Sequence, residues 1–429
     1  MADTIKIGNL DISSFKVGVA DCSIYLGVTK LYPQDTPHNY YNDYLTFEAI
    51  ESGTFTFIGY NGNSLSYSLD SGSTWTTLAS GVNSPTVSAG SKILWKGSNL
   101  LIGTSSDDPG IGRFTSSGNF NVEGNIKSLF LGDNFAQDTD LTPYDWLFSN
   151  LFDGCTKIIN AENMKFPTVY LPTRMCRAMF QNCTEMTTAP SELPALTMAL
   201  NCYLGMFNGC SKLTKVPSKL PATTLAKGCY AQMFQNCSSL VTPPSEICGL
   251  AMENACFQHM FDGCSAMTTV PAILATRINN INCCTFMFNN CSSLETVPNN
   301  MLSATALTNG CYDSMFNGCS KLTTAPELPA TKLASRCYNS MFRYCTSLTT
   351  APMLPATTLA VNCYQSMFDG CSKLNSITCL ATSNINSANC RYWVRGVASS
   401  GTFTKAASAT WSTGNNGRPT NWTLVDYVG

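Results

Sequence analysis

The stretch CYNSMFRYCTSLTTAPMLPATTLAVN, residues 337–362, decides the fold because it recurs along more than half of the chain. A Met-Phe pair begins at Met179, Met206, Met233, Met260, Met287, Met315, Met341 and Met367, in steps of 27, 27, 27, 27, 28, 26 and 26 residues. Two cysteine series keep the same beat. One runs through Cys176, Cys202, Cys229, Cys256, Cys283, Cys311, Cys337 and Cys363, the other through Cys183, Cys210, Cys237, Cys264, Cys291, Cys319, Cys345 and Cys371. With Cys155 as an early member and Cys390 as a terminal echo, 18 of the 22 cysteines belong to the repeat.

The unit divides into two halves. In CYNSMFRYC the apolar residues Cys337, Met341, Phe342 and Cys345 fall at i, i+4, i+5 and i+8, the spacing of one helical stripe. SLTTAP follows as a short β-favouring segment, with Leu348 and Ala351 facing inward. Pro352 ends it, because proline has no N–H to donate. One coil cannot bury its own apolar stripe, whereas stacked coils bury it against one another. A 26–28-residue period lies in the leucine-rich-repeat range. About nine coils at a strand spacing of ~4.8 Å give a rod roughly 45 Å long. Matching cysteines would then point the same way rather than at each other, so they are expected as small polarizable fillers and not bridges.

The remainder reads differently. In residues 1–42, Ile5-Lys6-Ile7, Leu10-Asp11-Ile12, Phe15-Lys16-Val17 and Ile24-Tyr25-Leu26 predict short strands, followed by the linker LYPQDTPHNYYND. Residues 43–133 predict a β-sandwich-like domain with strands in LTFEAI, TFTFIGY, LSYSL, WTTLA, KILWKG, NLLIG, GRFTS, FNVEG and IKSLFLG. Residues 134–378 are the repeat solenoid, and 379–429, with Trp393, Trp411 and Trp422, its C-terminal cap. The fold class expected is therefore mixed α/β: an all-β N-terminal region, then a leucine-rich-repeat solenoid and a cap.

Composition narrows function. The chain has 429 residues, 44% hydrophobic and 12% charged, with a net charge of −2. There is no basic excess to neutralise a phosphate backbone, so nucleic acid is not an expected partner. No apolar run is long enough for a membrane span, and MADTIKIGNLDISSF lacks the parts of a signal peptide. Synthesis in a reducing cytosol with free thiols is the expectation.

No catalytic residue, metal ligand or cofactor motif stands out. SLDSGSTW, Ser68 to Trp75, fits an Asp-box, S-x-D-x-G-x-x-W, which staples a turn; a single copy points to a structural hairpin ahead of glycan chemistry. GIGRFTSSG lacks dinucleotide-loop spacing. The Cys-x₇-Cys spacing and the Cys283-Cys284 pair do not make a zinc site. His38 and His259 are the only histidines, and His259 reads as a packed or surface residue. The Tyr series (Tyr203, Tyr230, Tyr312, Tyr338, Tyr364) reads as half-buried packing before a stacking platform. Beside the strand leucines run polar pairs, of which Thr188, Lys215, Thr242, Thr269, Thr296, Thr324 and Thr350 are expected to form a solvent-facing ladder. Such a ladder serves β-propensity and solubility, or binds a glycan or protein epitope.

The unit F-x-x-C-x-x-L-x-x-[AVI], as in Phe342, Cys345, Leu348 and Ala351, resembles the BspA-like bacterial leucine-rich repeat over about residues 145–378. CYxxMF replaces that family's usual helix start, and A-P-x-L-P is inserted. The opening GNLDISSFKVG…DCSIYLG and the tail GVASSGTFTKAASATWSTGNNGRPTNWTLVDY resemble structural proteins of tailed phages and prophages of gut bacteria. The resemblance implies a non-enzymatic virion fibre or appendage, anchored to other virion proteins through its N-terminal part. Its distal repeats would attach to a host-cell glycan or protein, with homo-oligomerisation plausible. A bacterial cell-surface adhesin and a glycan hydrolase are the alternatives.

Overall fold

The computed structural model describes residues 5–7, 10–12, 24–26 and 29–32, and then 40–428 except 99, 106–108, 137–140, 142, 167–169, 250 and 274–279. Residues 1–39 and 40–429 form two compact units. In the first, β1 (Ile5–Ile7) pairs antiparallel with β2 (Leu10–Ile12), and β3 (Ile24–Leu26) with β4 (Thr29–Tyr32). Three of the four strands expected there form; Phe15–Val17, like His38, lies outside the described residues.

The second unit opens with β5 (Leu45–Ala49), β6 (Phe55–Gly59), β7 (Leu65–Ser68), β8 (Thr76–Leu78), β9 (Lys92–Lys96), the short pair β10 (Gly103–Thr104) and β11 (Pro109–Gly110), β12 (Gly112–Ser116) and β13 (Phe120–Asn125). The strands β13, β5, β9, β7 and β8 are neighbours in that order, all antiparallel. β6 and β12 form a second antiparallel pair. Alternate residues point inward, and Phe47 meets Phe55, Phe114 and Phe120 at ring distances of 5.3, 4.9 and 4.9 Å. Trp95 joins them, fully buried. IKSLFLG, expected as a strand, instead holds the short helix α1 (Ser128–Leu131). β13 also pairs in parallel with β14 (Ile158–Asn160) and β15 (Met164–Lys165), so one strand serves both the β domain and the first repeat coil.

The expectation of mixed α/β architecture fails in the repeats. CYxxMFxxC is not helical: α1 is the one α-helix among the described residues. The segment is a ribbon of overlapping turns with a four-residue period. Met175, Arg177, Met179, Gln181 and Cys183 donate their N–H groups to carbonyls three residues back. Arg174, Cys176, Ala178, Phe180 and Asn182 donate theirs to Leu200, Cys202, Leu204, Met206 and Asn208 of the next coil. Arg174, Ala178 and Asn182 have φ of 57, 52 and 59°, as the third residue of a type II turn requires. A helix would consume every N–H internally. This ribbon spends half of them on its own shape and half on its neighbour, so hydrogen bonding itself stacks the coils. Buried amides stay paired as they must.

Stacking in phase follows. Phe152, Phe180, Phe207, Phe234, Phe261, Phe288, Phe316, Phe342 and Phe368 form one column, neighbouring rings 5.2–5.8 Å apart and within 8° of parallel. A second column holds Tyr203, Tyr230 and Phe257, is interrupted at Cys284, and resumes as Tyr312, Tyr338 and Tyr364. These tyrosines are interior packing, each at most 2% exposed, rather than half-buried. The β segments of the coils reduce to two-residue strands or single bridges, such as Thr197–Met198 on Thr224–Leu225 and Thr188 on Lys215. Leu348 and Ala351 do point inward.

Both ends of the stack are closed by aromatics. At the N-terminal end Phe114 stacks on Phe152 at 5.7 Å, and the N–H groups of Ile111 and Phe114 bond to Leu147 and Leu151. At the other end the backbone beat continues after the sequence beat is lost. Ser376–Cys379, Thr402–Lys405 and Thr423–Asp426 pair in parallel as two further coils. Trp393 stacks on Tyr364 at 5.9 Å and on Trp411 at 5.2 Å, terminating the ring columns.

Candidate ligand-binding face

The polar pairs sit where each coil leaves the ribbon and passes its leucine. Thr188 pairs in parallel with Lys215, Thr296 with Thr324, and Thr350 with Ser376, so the row advances one strand spacing of ~4.8 Å per coil. Of the residues expected in the ladder, Lys215, Thr242, Thr269, Thr296, Thr324 and Thr350 are exposed. Thr188 is not: it is 7% exposed, packed beside Thr187 with their hydroxyl oxygens 3.4 Å apart. The β domain's continuation through Asn160 covers it, a consequence of β13 joining the first coil.

In three of the pairs the first member turns its hydroxyl back on the stack: Thr187 donates to the Ile159 carbonyl at 3.1 Å, Thr214 to Thr187 at 3.2 Å and Thr323 to Glu295 at 3.2 Å. The second hydroxyls, at Thr242, Thr269, Thr296, Thr324 and Thr350, make no hydrogen bond within the described protein, and Thr296, Thr324 and Thr350 sit in inter-coil β-bridges. An exposed hydroxyl is both donor and acceptor. A row of them matches a partner rich in hydroxyl and amide groups.

Two shallow grooves run along this row. One, of about 440 Å³, is lined by Thr188, Lys215, Thr242, Glu162, Pro217 and Pro243. The other, of about 570 Å³, is lined by Thr324, Asn299, Glu327, Pro329, Pro352 and Met353. Both fall within the usual ligand-pocket range of roughly 300–1,000 Å³. The prolines that stop strand pairing thus also form the groove walls.

The other singled-out residues are structural. In the Asp-box, Asp70 accepts the Thr74 N–H at 2.9 Å and the Thr74 hydroxyl at 2.6 Å, and Trp75 Nε1 donates to the Gly72 carbonyl at 3.0 Å. These bonds hold the Asp70 carboxyl down at about 2, the Thr74 hydroxyl contributing most. That is a turn staple. Gly112 pairs with Gly59 in the β6–β12 ladder, and no helix follows it. His259 stacks on Phe286 at 4.6 Å and contacts Asp262 at 2.9 Å.

The cysteines of the second series donate Sγ–H to the Phe carbonyl of the preceding coil, as Cys210 to Phe180 at 3.0 Å and Cys371 to Phe342 at 2.9 Å. Burial pushes the Cys210 and Cys363 thiols up to about 12. The 21 described cysteines are free thiols. No group of three metal-ligating side chains occurs among the described residues, and no described helix is long and apolar enough to cross a membrane.

One feature escaped the sequence reading. The residue after each column Phe is polar, and from Asn208 to Asn317 these side chains bond along the stack: Asn208 to Gln235 at 3.3 Å, Gln235 to Asp262 at 3.1 Å, Asn289 to Asp262 at 2.6 Å and Asn317 to Asn289 at 2.8 Å. Arg343 and Arg395 continue it by bracketing Asp369. The signal was present in the sequence as an invariably polar residue at that phase.

No protein-family model matches the sequence, and no curated protein does. Two solved structures are similar. A leucine-rich repeat protein from Bacteroides ovatus is 15% identical, with 61% of this chain and 82% of that one covered at a TM-score of 0.21. A leucine-rich cell surface protein from Faecalibacterium prausnitzii is 14% identical, with 66% of this chain and 81% of that one covered at a TM-score of 0.23.

Proposed function

We propose that the protein is a non-enzymatic attachment protein that engages a bacterial surface glycan or protein through the exposed row from Lys215 to Thr350. The observation that carries this reading is the row itself: Thr242, Thr269, Thr296, Thr324 and Thr350 present exposed hydroxyls with no hydrogen bond inside the described protein, coil after coil. Many weak contacts held on a rigid frame add up without ordering cost, and a homo-oligomer would multiply them. In its finer form the reading makes the protein an appendage of a tailed-phage virion, its N-terminal region held by other virion proteins. Support for that form comes from the resemblance of the opening and tail sequences.

The test is binding of fluorescently labelled full-length chain to intact gut bacteria, compared with a Thr296→Val/Thr324→Val/Thr350→Val variant. Saturable binding that weakens at least tenfold, with stability unchanged within about 0.5 kcal/mol, is expected for surface substitutions of this kind. Equal binding by the variant contradicts the reading, and release of oligosaccharides from host capsule would contradict its non-enzymatic part. Immunogold labelling of phage particles and of bacterial envelopes separates a virion appendage from a bacterial adhesin.

A further inference from the structure

A second site lies at the C-terminal end of the stack and uses none of the ladder residues. Here the turn ribbon carries two consecutive coil positions without a side chain, Gly370 and Gly396, where earlier coils alternate. A cavity of about 240 Å³ opens beside Gly396, lined also by Ser399, Asn415, Thr420 and Asn421 with Val394, Val397 and Pro419. The side chains of Ser399, Asn415, Thr420 and Asn421 make no hydrogen bond within the described protein, and Asn415, Thr420 and Asn421 are exposed. Unspent hydroxyl and amide groups on an apolar floor are the chemistry that recognises a hydroxyl-rich ring. The volume is below that of a drug-sized pocket of roughly 300 Å³ and admits one small unit.

The chain immediately before Gly396, next in sequence to the pocket but outside its lining, supplies the charge. Tyr392 is flanked by two guanidiniums, Arg391 at 5.1 Å and Arg395 at 4.6 Å from its ring. Arg395 is already committed to Asp369, with bonds of 2.8 and 2.6 Å, whereas Arg391 is exposed and has no acidic partner in the described protein. The pocket loop and this segment are tied together: Asn416 Oδ1 accepts the Tyr392 N–H at 2.8 Å, and the Asn415 carbonyl accepts the Val394 N–H. Stacking on Tyr392 holds the Arg391 fork in place, which favours a planar carboxylate. A single unpaired guanidinium beside the pocket, in a chain of net charge −2, is too little for a nucleic-acid backbone.

We infer that this pocket binds the terminal residue of a carboxylate-bearing polysaccharide. Its hydroxyls meet Asn415, Thr420, Asn421 and Ser399, and its carboxylate meets Arg391. The inference does not depend on the threonine row, and variants of the two sites fail separately.

The test measures binding of full-length chain to immobilised hyaluronate, alginate, polygalacturonate and polysialic acid, against neutral dextran and poly-glutamate. At least one acidic polysaccharide is expected to bind tenfold or more above dextran. Arg391→Gln should cut that binding roughly tenfold, the scale of a lost charge-assisted hydrogen bond. Asn421→Gly, which suits a residue at φ 65°, should weaken it several-fold, as should Asn415→Ala. The Thr296/Thr324/Thr350 variant should bind normally. No acidic polysaccharide above dextran, or unchanged binding in Arg391→Gln and Asn421→Gly, overturns the inference. Equal binding of poly-glutamate that ignores Asn421→Gly also overturns it, leaving charge alone as the cause.

Discussion

At the last left-handed position of the turn ribbon, successive coils read Asn182, Gly209, Asn236, Gly263, Asn290 and Gly318, all at positive φ. The alternation has a steric cause. A Cβ on Gly209, Gly263 or Gly318 would lie 2.6, 2.6 or 2.5 Å from the Oδ1 of the asparagine one coil earlier. Both residue types tolerate the backbone, but two side chains cannot occupy adjacent coils there. Gly263→Ala should therefore cost about 1–3 kcal/mol, combining backbone strain and contact. Gly154, at φ 72° with open space around it, isolates the strain, so Gly154→Ala should cost about 1 kcal/mol or less. Urea denaturation checks both. Adding Asn236→Gly to Gly263→Ala should recover the difference; equal destabilisation by the two alanines would contradict the steric account.

At the scale of the element, the phenylalanine column sets stability and the ribbon sets shape. Phe234 lies between Phe207 and Phe261, 5.5 Å from each, and is fully buried. Phe234→Ala should cost about 3–5 kcal/mol by calorimetry or denaturation, since cavity and ring contacts are lost together. A cost under about 1 kcal/mol would mean the column does not hold the coils. The column itself was legible in the recurring Met-Phe pair, as was inward burial of Leu348. The ribbon was not, although its signals were there. Nine residues are too few to separate a four-residue period from 3.6, and Cys337, Met341 and Cys345 satisfy both. The distinguishing feature was strongest where glycine or asparagine takes every fourth position, as in Asn201, Gly205 and Gly209, which disfavours a helix interior and favours positive φ; Arg336, Ser340 and Tyr344 hold the same backbone without that signal. In the ladder, the exposure of Thr242 to Thr350 followed from strand alternation. The burial of Thr188 did not, because it depends on β13 reaching across to the first coil.

Across the whole molecule, the thiols make stability depend on pH in one direction. Burial pushes Cys155 up to about 11 and Cys210, Cys256, Cys311 and Cys379 up to about 12, from an ordinary value near 9. The folded chain keeps protons that the unfolded chain releases above pH 9. Stability is complete below that pH and falls as pH rises toward 12, by about 1.4 kcal/mol per thiol per pH unit. The urea midpoint should thus drop steeply between pH 9 and 11, and a flat profile would contradict this. Among the described cysteines, thiol reagent at pH 8 should modify at most Cys248, the one not fully buried, before unfolding. The ring cap acts at the same scale: Trp393→Ala should expose Tyr364 and lower the melting temperature of the C-terminal coils first.

The most direct measurement is an experimental density map of the repeats at side-chain resolution. The account predicts nine phenyl rings from Phe152 to Phe368 in one file, near-parallel and 5–6 Å apart, flanked by a ribbon whose alternate amides reach the next coil. Diverging rings, or continuous α-helix through Cys176–Cys183, would contradict it.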